Sequence, residues 1–127
     1  MDLQNASGDQ QTLTNIANNF ASSDADLFYA IATPTAQALA TVVTDRPIVF
    51  AAVADPVEAG LVASWEAPDA NVAGVSDANP MLDQLQLIQE VLPDLTSVGI
   101  VYASGEVNSE VQVREAGRPV PSWVSRS

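Results

Sequence analysis

Between Ala30 and Ala38 an apolar run breaks into Thr33-Pro34-Thr35 and then resumes as an alanine-rich segment. No other stretch constrains the fold as much. Leu27 to Ala32 reads as a buried strand, and the residues after Pro34 read as a helix. Proline suits the first helical position, which makes Thr33 the expected cap and leaves the amides of Thr35 and Ala36 free at the strand's carboxyl end. Free amides at a helix start attract anions. In open α/β sheets, that edge is where small molecules bind.

The rest of the chain alternates helix and strand patterns in the same manner. Leu13, Ile16, Ala17, Phe20 and Ala21 follow the spacing of a one-faced helix that starts after Gly8-Asp9. Thr35 to Val43 is predicted as a helix and Ile48 to Val53 as a second buried strand launched from Pro47. Asp55-Pro56 repeats the cap-and-proline arrangement before a turn through Gly60. A loop over residues 66–71 and a short strand from Val72 to Ser76 follow. Asn79-Pro80 opens a helix with Met81, Leu85, Ile88 and Leu92 on one face, Asp83 in its first turn and Pro93 at its end. Ser97 to Ala103 is predicted as a further strand. The polar loop from Ser104 to Ser109 then leads into a helix start at Ser109-Glu110-Val111. From Gly117 on, two prolines preclude a helix.

Composition removes many functions. With 47% hydrophobic residues in 127, the chain has enough apolar material for a core. No stretch approaches the roughly 18 apolar residues of a membrane span, and the first residues lack the pattern of a signal peptide. Sixteen acids face four arginines, with no lysine, histidine or cysteine, for a net charge of −12. Nucleic-acid backbones would repel such a surface. An acidic, lysine-free surface suits a high-salt environment and equally follows from a biased genome. A phosphate-binding P-loop needs its lysine, and triads, Cys-His dyads and ordinary zinc sites need His or Cys. Only carboxylate chemistry remains open. The Asp24-x-Asp26 pair precedes a strand, on the wrong edge for a site, and reads as a solvated turn rather than a metal site. No cofactor is expected.

Four ordered motifs carry a family resemblance. Asn5-Ala6-Ser7-Gly8-Asp9, Ala30-Ile31-Ala32-Thr33-Pro34, the run from Pro47 through Asp55-Pro56-Val57, and Asn71-Val72-Ala73-Gly74-Val75-Ser76-Asp77 together resemble the substrate-binding proteins of ABC transporters. They are similar in particular to the subgroup whose characterised members bind tryptophan or related aromatic amino acids. The match runs over residues 3–113. The resemblance implies a two-lobed clamshell of the type I periplasmic-binding-protein fold, each lobe a doubly wound parallel α/β unit, with the ligand trapped between lobes. It places residues 1–74 in a partial lobe one lacking its first strand and helix. Residues 75–113 form the hinge crossing and the start of lobe two, and residues 114–127 an atypical tail. The chain is then expected to be a fragment that binds weakly or not at all alone. Its parent would lie in the periplasm or be lipid-anchored outside the cell, capture an amino-acid-like solute and pass it to an ABC permease.

Carried over by position, the resemblance places Thr33, Thr35 and Ala36 against the ligand carboxylate, although helix capping alone would also explain them. Asp55, with Ala54 beside it, would face a ligand ammonium group or simply cap a turn. Ser76 and Asp77 sit at the crossing, for ligand contact or hinge geometry. Tyr102, Ser104, Asn108 and Ser109 lie at the end of the lobe-two strand and in its loop, where Tyr102 is equally a packed strand aromatic. Trp65 and Trp123 are left out of the set. Two other functions are weighed. One is a self-associating α/β fragment whose unpaired sheet edges invite a homodimer. The other, a carboxylate hydrolase, lacks any evident pair of acids at neighbouring strand ends. The break in composition at Arg114 fits either a frame change or an ordinary variable terminus.

Overall fold

The computed structural model describes residues 1–67 and 70–117. They fall into two compact units, Met1–Asp77 and Ala78–Ser127. The first unit runs α1 (Gln10–Ala21), β1 (Phe28–Ile31), α2 (Thr33–Val42), β2 (Ile48–Val53) and β3 (Val72–Ser76). Its three strands form one parallel sheet in the order β1-β2-β3.

Register decides which residues enter the core. Phe28, Ile48 and Val72 stand side by side, as do Ala30, Phe50 and Gly74. All but the glycine are buried against Ala17 of α1 and Ala36 and Leu39 of α2. Burying a side chain such as Ile48 or Phe50 contributes roughly 1.5–3 kcal/mol. Gly74 is required here, because a Cβ would overlap the Phe50 carbonyl oxygen and come within 2.6 Å of its ring. The alternate rows, Tyr29-Val49-Ala73 and Ile31-Ala51-Val75, form the opposite face. That face is also wholly apolar, with Tyr29 61% and Val75 71% exposed. Strands apolar on both faces belong to sheets covered on both sides.

Side chains tie the elements together. Asp9 caps α1 by accepting the Thr12 amide at 2.7 Å. Arg46 donates to the carbonyls of Ala21 (2.6 Å), Ser23 (2.8 Å) and Ala25 (3.1 Å), and its guanidinium lies 5.0 Å from the Phe28 ring centre. One cation thus satisfies the carboxyl end of α1 and covers the first residue of β1. The Asn71 amide donates to the carbonyls of Val43 and Arg46, fixing the entry to β3.

The first unit departs from expectation at β1 and α2. β1 spans four residues rather than six, since Leu27 is 52% exposed and Ala32 turns out of the strand. The helix predicted from Thr35 starts two residues earlier and ends at Val42, with Val43 as its C-cap. The loop predicted over residues 66–71 includes Pro68 and Asp69, which lie outside the described residues.

The second unit contains α3 (Met81–Val91) and α4 (Val107–Ala116). Leu85 and Ala116 are its buried centre, with Met81, Leu95, Val98 and Ile100 packed against them. α3 follows the predicted signals: Pro80 at the cap, Asp83 in the first turn, and Leu92 as C-cap before Pro93. Of its predicted apolar face only Leu85 is buried, while Ile88 is 37% and Leu92 55% exposed. The strand predicted from Ser97 to Ala103 does not form. Val98 alone takes part in a bridge, because a strand persists only when a neighbour satisfies its backbone along its length. α4 begins at Val107 rather than Ser109 and includes Arg114 and Glu115, so the helix continues past the predicted break before ending at Gly117. Trp123 and the two tail prolines lie outside the described residues. No helix of the described residues is long and apolar enough to cross a membrane.

Candidate functional site

Three neighbouring parallel strands end on one edge, and the candidate residues of the first unit are there because the topology puts them there. At the end of β1 the N-cap of α2 is Ala32, not Thr33, and it holds φ 73° and ψ 157°. Thr33 is the first helical residue and Pro34 the second. Ala36 is corrected as well: its amide donates to the Ala32 carbonyl at 3.1 Å and the residue is fully buried, so it offers no free N–H. The groups left at the start of α2 are the amides of Thr33 and Thr35, since Pro34 has none. No side chain caps them. Thr33 is only 2% exposed, and its hydroxyl takes part in no hydrogen bond among the described residues.

At the end of β2 the register shifts between Ala51 and Val53, with Ala52 bulged at φ 55°. Bulges at strand ends re-aim the chain that follows. Ala54 and Asp55 come next. Asp55 Oδ1 accepts the amides of Val57 and Glu58, both at 3.0 Å, so this oxygen caps the turn that runs to Gly60. The second carboxylate oxygen, Oδ2, has no such task. At the end of β3 the Ser76 hydroxyl donates to the Ala54 carbonyl at 3.1 Å, and the Asp77 amide donates to the Val53 carbonyl at 3.2 Å. Both residues therefore lock the ends of β2 and β3 together.

In the second unit, Tyr102 and Ser104 lie in irregular chain rather than at the end of a strand, and Tyr102 is 46% exposed. Asn108 and Ser109 occupy the first turn of α4, not a loop. Asn108 Oδ1 is a buried acceptor without a hydrogen-bond partner among the described residues. Tyr102 also borders a shallow groove of about 240 Å³ beside Glu110 and Arg114.

Sequence reasoning missed two features. A small groove of about 130 Å³ lies between Trp65, Pro56, Val62 and the β3 residues Gly74 and Ser76. Ala32 and Ala52 take positive φ where glycine would be expected, and an alanine carries no signal of that in sequence. Among the described residues no group of three or more His, Cys, Asp or Glu side chains is placed to hold a metal ion.

Residues 1–120 match the family model described as ABC transporter substrate binding protein. Over 113 residues the chain is 46% identical to a tyrosine-binding protein of Clostridioides difficile (strain R20291), covering 89% of this chain and 33% of that protein. Among solved structures it superimposes with a TM-score of 0.89 on an ABC domain in complex with L-Trp from Streptococcus pneumonia, at 37% identity over 98% of this chain and 44% of that one. The ligand-free, open structure of a Clostridium difficile substrate binding protein with adhesive properties superimposes at 0.68, with 41% identity over 99% of this chain and 44% of that one. The chain thus spans a third to under a half of the length of these relatives. The match covers both units and nearly all described residues, and the chain belongs to the ABC transporter substrate-binding protein family.

Proposed function

We propose that this chain is part of the solute-binding component of an ABC importer whose ligand is an aromatic amino acid or a similar small solute. The observation that carries the reading is the uncapped start of α2, with Thr33, a residue only 2% exposed whose hydroxyl makes no hydrogen bond among the described residues, at its first turn. The amides of Thr33 and Thr35 and the Thr33 hydroxyl would receive the ligand carboxylate. Asp55 Oδ2, beside Ala54, would receive the ammonium group while Oδ1 keeps its capping role. Ser76 and Asp77 serve the same edge by holding the strand ends in register, and Ala36 contributes packing. For the second unit, Tyr102, Ser104, Asn108 and Ser109 stay the candidate residues, of which the Asn108 acceptor would take a ligand N–H and Tyr102 would meet an aromatic ring. The relatives named for tyrosine binding and solved with L-Trp support the ligand class. The complete protein would act outside the cytoplasmic membrane and deliver its solute to an ABC permease, without catalysis.

Titration of the isotope-labelled chain with L-tryptophan, L-tyrosine and, as the control lacking a carboxylate, tryptamine tests the reading by amide NMR. The amino acids at millimolar concentration are expected to shift the Thr33 and Thr35 amides, and tryptamine to leave them in place. Amino-acid-induced shifts elsewhere in the chain with both of these amides unmoved would overturn it.

A second reading is self-association. Among the described residues β1 is paired on one side alone, and its Tyr29 and Ile31 are exposed on the apolar face beside that edge. A second copy could pair along β1 and cover this face. Sedimentation that depends on concentration would support a homodimer, and a monomer at every concentration would exclude it.

A further inference from the structure

No further inference is drawn: the strongest candidate, the small apolar groove that Trp65, Pro56 and Val62 form beside β3, carries none because nothing in the structure shows what covers it.

Discussion

Arg46 shows how much one side chain can organise at the residue scale. It is the single basic residue of the first unit, and it spends its donors on three backbone carbonyls while its plane faces Phe28. Its partial burial makes those bonds harder for water to replace. Arg46→Ala is expected to destabilise the first unit by about 2–4 kcal/mol in urea unfolding, because the carbonyls at the end of α1 lose their donors. Arg46→Lys should recover little of this, since an ammonium cannot reach three carbonyls and a ring face together. Gly74→Ala is a complementary case. The added methyl meets Phe50 backbone, which cannot swing aside, so a loss of about 1–3 kcal/mol or more is expected in the same measurement. A fully stable Gly74→Ala variant would show that β2 and β3 can separate without loss.

Elements respond to their ends. Asp9 is held below its ordinary value of 3.8 by hydrogen bonds to Thr12, first from its side chain and then from its amide. A depressed carboxylate contributes stability that is complete above that ordinary value and is lost as pH falls through the lower, folded one. Fraying at the start of α1 is therefore expected on acidification below about pH 4, seen as faster exchange of the Thr12 amide. Asp9→Asn, which caps without charge, should remove most of this pH dependence. The Asp9 cap was legible in sequence because the cap, the glycine before it and the helical period agree. So were β2 and β3, whose apolar runs are bounded by Pro47, Asn71 and Asp77. The start of α2 was not, because Thr33 carries a capping side chain whereas the backbone places the cap on Ala32. The segment 97–103 failed for another reason: its composition is that of a strand, but strand formation is a property of neighbours. Of the candidate site, the strand ends were legible from topology alone. The commitment of Ala36 N–H and Asp55 Oδ1 to the backbone needed coordinates.

The whole molecule carries −12, and self-repulsion on that scale is screened by salt. Added sodium chloride is expected to raise the melting temperature, and a fall would show that the acids are locally compensated. Hydrogen exchange should be slowest in β2, which is bonded on both sides, and fast through residues 97–103. Equal protection in the two segments would contradict the architecture. The parallel register has a kinetic counterpart. Phe28 pairs with Ile48 and Ile48 with Val72, so every rung of the sheet joins residues about twenty or more positions apart, and no tight hairpin can seed it. Folding must close a long loop before any ladder bond repays the lost entropy, so the smallest piece of this sheet that can form is a strand-crossover-strand unit and not a hairpin.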